Sequence, residues 1–202
     1  VKDGQTIFHF FYKEGKVIKD MEVVLGTMGE HNVRNALVAL GVAHQMGLDM
    51  KAAAKALVTF HGQRQQMHTL KSCTLIDDTY NASPASMVAG VNVLGGFETS
   101  GRRIAVLSEM RELGENTLKY HREVGEKIAS EPINELIVIG DTAKAIADGA
   151  RQKKCSYLIH EFDDKMQAAE YLNQNLKAGD VVYLKASNAI GLKEITKYLM
   201  EQ

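Results

Sequence analysis

The stretch Leu75–Met87, LIDDTYNASPASM, decides how the chain is read. Leu75 and Ile76 end a short apolar run, two carboxylates follow at Asp77 and Asp78, and polar residues lead to Pro84. Proline fits the first turn of a helix, where its missing N–H is not needed. The stretch therefore reads as a strand end, a loop and a helix start. Six to seven residues separate the carboxylates from Pro84, more than a helix cap requires. The loop exposes Thr79, Tyr80, Asn81 and Ser83 at the mouth of a sheet, where hydroxyl and amide groups can orient a polar ligand. An ordinary turn is the alternative reading, and spacing alone does not choose between Asp77 and Asp78.

The same rhythm continues downstream. Apolar runs at 74–76, 104–107, 136–139, 157–159 and 181–184 alternate with periodic stretches of ten to fifteen residues. Leu118, His121, Gly125 and Ile128 form one such stripe, Ala143, Ile146, Ala147 and Ala150 a second, and Leu192, Ile195 and Leu199 a third. Short buried runs alternating with helical periodicity predict an α/β fold with a doubly wound, mostly parallel sheet covered on both faces. Met67–Lys71 adds a short antiparallel strand. In such a sheet ligands bind beyond the carboxyl ends of the strands. The loops to inspect are DDTYNASP (77–84), SEMRELGEN (108–116), GDT (140–142), HEFDD (160–164) and KASNAIG (185–191). Asp141 and Asp163 read as caps of the helices that follow them, and Lys185 faces the carboxylates across the cleft.

Upstream, the first 26 residues alternate like strands lacking partners, which suggests a fragment of a longer polypeptide. GEHNVRNALVALGVAHQMG (29–47) places Leu37, Leu40, Gly41 and His44 at helical spacing, with Asn32 as N-cap and the helix starting at Val33. LDMKAAAKALVTF (48–60) repeats this with Asp49 as cap and Ala53, Ala56, Leu57 and Phe60 on one face. The polar HGQRQQ (61–66) marks a hinge, so the expected boundaries are 1–61 and 62–202.

A chain of 202 residues can bury a substantial core. Its 24 basic and 25 acidic residues leave a net charge of -1, which excludes bulk attraction to nucleic acid or anionic lipid. Cys73 and Cys155 lie far apart and read as packing residues in a reducing, cytoplasmic setting. No apolar run reaches the ~20 residues of a membrane span. Neither a Walker loop nor a G-x-G-x-x-G is present. The seven histidines do not cluster, so no zinc or Ser/His/Asp site is expected, and the nine methionines read as core filler.

Several blocks then occur in a family-specific order: GEHNVRNALVA (29–39), GQRQQM (62–67), LIDDTYNASPASM (75–87), VLSEMRELG with HREVG (106–125) and GDVVYLKASNAIGLKEI (179–195). The chain resembles the carboxyl-terminal half of the Mur ligases, in the branch that adds D-Ala-D-Ala to UDP-N-acetylmuramoyl-tripeptide. The D-D-x-Y-N-A-x-P block is the most specific part. The resemblance implies a Rossmann-like terminal domain preceded by the tail of a central ATPase domain. It also implies ATP and Mg2+, with most Mg2+ ligands and the phosphate loop outside this chain. The isolated chain is therefore expected to be inactive, cytoplasmic and monomeric.

By motif match, Asn35 contacts the adenine, with His31 and Asn32 shaping that loop. Arg64 reaches the nucleotide phosphates on domain closure, and Asp78 holds the ribose hydroxyls. Tyr80, Asn81, Ala82 and Ser83 line the dipeptide side, completed by Glu109, Ser187 and Asn188. The family often has G-D-M where this chain has Ser108–Met110, and K-G-S-R-G where it has Lys185–Ala189. The partner of the dipeptide carboxylate is therefore left open. A receiver-like or non-catalytic nucleotide-binding α/β domain is the alternative, but a receiver has no place for the long loop or the H-N-x-x-N-A helix.

Overall fold

Period-two alternation at the start of the chain and short apolar runs after residue 72 build two different sheets. The computed structural model describes residues 5–59, 65–70 and 73–202. Contacts divide the chain into units Val1–Gly62 and Gln63–Gln202.

In the first unit, β1 (Thr6–Glu14) pairs antiparallel with β2 (Val17–Leu25), from Thr6 opposite Leu25 to Glu14 opposite Val17. The two-residue turn needs a positive φ, which Gly15 supplies at 60°. Phe10, Val23 and Leu25 pack against Ala36, Leu40 and Ala43 of α1 (Glu30–Gln45) and against Met50 and Ala54 of α2 (Met50–Val58). Asp49 caps α2, accepting from the Lys51 N–H at 2.8 Å.

The start of α1 differs from the expectation. Gly29 is the N-cap, with φ 96°, and the helix begins at Glu30 rather than Val33. Asn32 lies inside the first turn, where its amide donates back to the Met28 carbonyl at 2.7 Å. The buried stripe also shifts: Leu37 is 41% exposed while Ala36 and Ala43 flank Leu40 inside. In α2, Ala56 is exposed and Met50 and Ala54 are buried in its place, whereas Phe60 lies outside the described residues. With small apolar residues on several sides of each helix, packing rather than periodicity chooses the buried stripe.

The second unit is a six-stranded sheet of order β3-β4-β8-β5-β6-β7. Its strands are β3 (Gln66–Leu70), β4 (Cys73–Asp78), β5 (Arg103–Ser108), β6 (Glu135–Ile139), β7 (Leu158–Phe162) and β8 (Val181–Lys185). Only β3 is antiparallel, pairing with β4; the other pairings are parallel. The helices are α3 (Pro84–Gly95), α4 (Thr117–Ile128), α5 (Lys144–Gln152), α6 (Lys165–Asn175) and α7 (Lys193–Met200). Helices α3 to α5 cover one face, and α6 and α7 the other. The sheet is doubly wound, as the alternation predicts.

Pro84 opens α3, and Ser83 caps it through a reciprocal capping box with Ser86. Helix α4 buries His121, Val124, Gly125 and Ile128 but leaves Leu118 exposed. Glycines let α4 and α5 cross closely: a Cβ on Gly125 would lie 1.9 Å from the Ile146 carbonyl oxygen, and one on Gly149 2.1 Å from that of Arg122. At the amino end of the sheet, Arg102 pairs with the buried Asp180 at 2.7 Å and Glu135 at 3.1 Å. Burial alone would raise the Asp180 carboxyl, but hydrogen bonds from Arg102 and Lys177 outweigh it and hold the group below its usual range.

Candidate functional site at the carboxyl edge of the sheet

The adjacent aspartates are separated by the pleat of β4. Successive strand residues point to opposite faces, so Asp77 turns toward α7 and Asp78 toward α3. Asp77 is satisfied locally: it accepts from the Thr79 backbone N–H at 3.0 Å, the Thr79 hydroxyl at 2.6 Å and the Thr196 hydroxyl of α7 at 2.8 Å. It shapes the turn leaving β4.

Asp78 stands opposite Lys185 in the β4–β8 register. Its Oδ2 accepts from the Lys185 ammonium at 2.7 Å and from the Tyr183 hydroxyl at 2.6 Å. Asp78 is 4% exposed, Lys185 1% and Tyr183 0%. Tyr183 reaches this position because α3 has Gly90 there: a Cβ on Gly90 would fall 1.8 Å from the Tyr183 hydroxyl oxygen. Asp78 Oδ1 is buried with no hydrogen-bond partner among the described residues. A buried carboxylate oxygen so placed can accept a hydroxyl from a ligand.

Lys185 also donates to the Asn81 carbonyl at 2.9 Å, so the ammonium beneath the sheet edge supports the loop above it. Tyr80 is half-exposed at 51%, Asn81 and Ser83 are exposed, and Ala82 is buried. The loop after β8 is tied to the loop after β5. The Ser187 N–H donates to the Glu109 carbonyl at 3.1 Å, and the Arg111 N–H donates to Ser187 Oγ at 2.9 Å. Glu109 pairs with Arg111 at 2.9 Å and accepts from the Thr142 N–H at 3.2 Å. His121, fully buried in α4, receives the Met110 N–H on Nε2 at 2.9 Å while Nδ1–H donates to the Thr117 carbonyl at 2.7 Å. Burial holds this imidazole below its usual pKa.

The helices after β4 and β5 leave to one face and α7, after β8, leaves to the other. Diverging connections of this kind open a crevice at the carboxyl edge. Tyr80 to Ser83 follow β4, Glu109 follows β5, and Ser187 and Asn188 follow β8, so all lie on connections at this edge. A cleft of about 580 Å³ opens at the same edge, lined by Glu109 after β5, by Gly140, Asp141 and Lys144 after β6, by Asp163 and Lys165 after β7, and by Ile190 after β8. Asp141 and Asp163 are not helix caps: both pair with Lys144, at 3.2 and 2.6 Å. The cap of α6 is Asp164, and that of α5 is Ala143 without a side-chain bond.

His31, Asn32 and Asn35 share one side of the first turns of α1, at i, i+1 and i+4. Arg64 lies outside the described residues. Sequence reading missed Tyr183 as a partner of Asp78 and Arg111 as a partner of Glu109 and Ser187, and noted Lys185 only as a charge at the strand end. A lysine inside VVYLKA, an otherwise buried run, was the available signal. Among the described residues no group of three or more His, Cys, Asp or Glu side chains is placed to hold a metal ion, and no helix is long and apolar enough to cross a membrane.

Comparison with known proteins bears on this arrangement. The family model of the Mur ligase, glutamate ligase domain, matches residues 63–188. The UDP-N-acetylmuramoyl-tripeptide--D-alanyl-D-alanine ligase of Mycobacterium bovis is 35% identical, over 89% of this chain and 39% of the relative. The crystal structure of MurF from Acinetobacter baumannii superposes with a TM-score of 0.82 at 25% identity, covering 97% of this chain and 42% of that one. MurF from Thermotoga maritima, solved in complex with ADP, shares the fold at a TM-score of 0.76 and 23% identity, over 98% of this chain and 46% of that one. The chain thus spans about two fifths of the length of the curated relatives it matches. The matched region contains the loops after β4 and β5 and the start of the loop after β8, which sets aside the receiver-like alternative, and the chain belongs to the Mur ligase family.

Proposed function

We propose that this chain forms the carboxyl-terminal part of an ATP-dependent ligase that adds D-Ala-D-Ala to UDP-N-acetylmuramoyl-tripeptide in peptidoglycan precursor synthesis. The observation that carries the reading is the loop Thr79–Ser83. Its Asn81 carbonyl accepts from Lys185, which is paired with Asp78, and on the same sheet edge the Ser187 N–H donates to the Glu109 carbonyl. The reaction transfers the γ-phosphoryl group of ATP to the tripeptide's terminal carboxylate and releases ADP. The dipeptide amine then attacks the acyl carbon, the amide bond forms, and inorganic phosphate and the amine proton leave.

Within this scheme Asp78 Oδ1, which has no hydrogen-bond partner among the described residues, accepts a ribose hydroxyl, and Tyr80, Asn81, Ala82, Ser83, Glu109, Ser187 and Asn188 border the dipeptide. The roles of His31, Asn32 and Asn35 at the adenine, and of Arg64 at the phosphates, rest on motif match. Mg2+ would neutralise phosphate charge when bound, but the described residues offer no cluster to hold it, so no step is assigned through it. The enzyme is read as cytoplasmic and monomeric.

The test uses the full-length ligase containing this chain. Phosphate release is expected to require ATP, the tripeptide nucleotide and D-Ala-D-Ala together, and the 202-residue chain alone is expected to release none. Asp78→Asn keeps an acceptor for Tyr183 while removing the charge. It is expected to raise the KM for ATP roughly 10-fold or more, the scale of a hydrogen bond to a charged group. Release of phosphate without D-Ala-D-Ala dependence would defeat the reading.

A further inference from the structure

We infer that Tyr183 is a positioning residue for the nucleotide: it locks the Asp78 carboxylate through Oδ2 and leaves Oδ1 to take a single ribose hydroxyl. The inference rests on the ligase reading above, which puts the ribose at Asp78. The torsion that turns an aspartate carboxylate is broad and nearly two-fold. A carboxylate gripped by one donor can therefore exchange its two oxygens. Asp78 is gripped by two donors, and both reach the same atom: Oδ2 accepts from the Lys185 ammonium at 2.7 Å and from the Tyr183 hydroxyl at 2.6 Å. A carboxylate oxygen accepts about two hydrogen bonds, so Oδ2 is full, and any rotation of the group breaks one of them. Oδ1 is buried and has no hydrogen-bond partner among the described residues. Buried polar atoms are nearly always paired, so this oxygen, at the last residue of β4, is one acceptor offered to a ligand.

The sheet builds this arrangement. The parallel register sets Ile76 opposite Tyr183 and Asp78 opposite Lys185. Strand residues two apart share a face, so Tyr183 and Lys185 approach Asp78 from the same side of the sheet. The ring of Tyr183 is completely buried, and a Cβ on Gly90 of α3 would overlap its hydroxyl, so the tyrosine and the glycine fit only as a pair. Lys185 cannot fix the carboxylate alone, because its ammonium is shared with the Asn81 carbonyl at 2.9 Å. A carboxylate with both oxygens open meets the two neighbouring hydroxyls of a ribose with one oxygen each. With Oδ2 filled from within the sheet, Asp78 meets only one of them, and Tyr183 makes that selection without touching the ligand.

The experiment measures the KM for ATP, 2′-deoxy-ATP and 3′-deoxy-ATP in the full-length ligase, as wild type and as Tyr183→Phe, which loses one oxygen and keeps the ring. The variant should raise the KM for ATP about 3- to 10-fold, the scale of one hydrogen bond, with kcat at saturating ATP within about twofold of wild type. The rise should vanish with the deoxynucleotide that lacks the hydroxyl bound by Asp78 and persist with the other. A merely structural loss would raise all three KM values alike. Gly90→Ala drives a methyl into the place of the hydroxyl; it is expected to give the same split and carries the test should Tyr183→Phe not fold. An unchanged KM for ATP, or a rise that persists with both deoxynucleotides, overturns the positioning role. A rise that vanishes with both overturns the single-hydroxyl contact. Each of these leaves the ligase reading in place, whereas a wild type without D-Ala-D-Ala-dependent phosphate release overturns both.

Discussion

Lys185→Met removes the charge beneath the ligand loop while keeping most of the side-chain volume. At 2.7 Å from Asp78, and with an effective dielectric of about 20, the direct attraction is about 6 kcal/mol. Desolvation of both groups offsets much of that, but deleting one partner leaves the other buried and uncompensated, which costs roughly 3–5 kcal/mol. For a unit of this size, at about 4 °C per kcal/mol, the expected fall in Tm is about 12–20 °C. Urea unfolding of the 202-residue chain gives the free energy, and differential scanning calorimetry the Tm. The double variant Asp78→Asn with Lys185→Met removes both charges and leaves an acceptor for Tyr183. It should be less destabilised than the sum of the two single variants by at least about 2 kcal/mol. A single Lys185→Met variant within about 1 kcal/mol of wild type, or strict additivity in the cycle, would refute the reasoning.

Two further outcomes follow from the packing. Gly125→Ala drives a methyl against the Ile146 carbonyl where α4 and α5 cross; since backbone must move, a loss of about 1–3 kcal/mol or more is expected in urea unfolding, and a neutral result would contradict the close crossing. His121 has its pKa lowered in the folded state, chiefly by burial, against the raising effects of the Thr117 carbonyl and Glu109. The unfolded imidazole takes up a proton near pH 6.5, while the folded one does so only at lower pH. The stability is therefore fully present above about pH 6.5 and is lost as pH falls toward the folded pKa, by up to about 1.4 kcal/mol per pH unit. His121→Gln should lack this component in urea titrations between pH 7.5 and 5, and parallel pH profiles for the two proteins would count against it.

The alternation of short apolar runs with amphipathic stretches was enough to read a doubly wound sheet, because burial on both faces forces continuous apolar strands and one apolar stripe per helix. Pro84 as a helix start and Asp49 as a cap were legible for a similar reason: their effects are local to the chain. The first turn of α1 was not, since Gly29 took the cap and freed Asn32 for the Met28 carbonyl. Asp141 and Asp163 read as caps, yet their partner is Lys144, which approaches Asp163 from another element of the fold.

The sequence by itself determined the element order, the loops at the carboxyl edge and the motif blocks that carry the family resemblance. Each of these depends on neighbours a few residues apart. Only the tertiary structure decided what the two aspartates do. The pleat sends Asp77 to Thr79 and Thr196, and the parallel register with a strand more than 100 residues away brings Lys185 and Tyr183 to Asp78. It also set Arg111 beside Ser187, from loops 76 residues apart. Charge pairing and hydrogen bonding act over a few ångströms in space. Periodicity and spacing along the chain carry no information about which distant strands become neighbours.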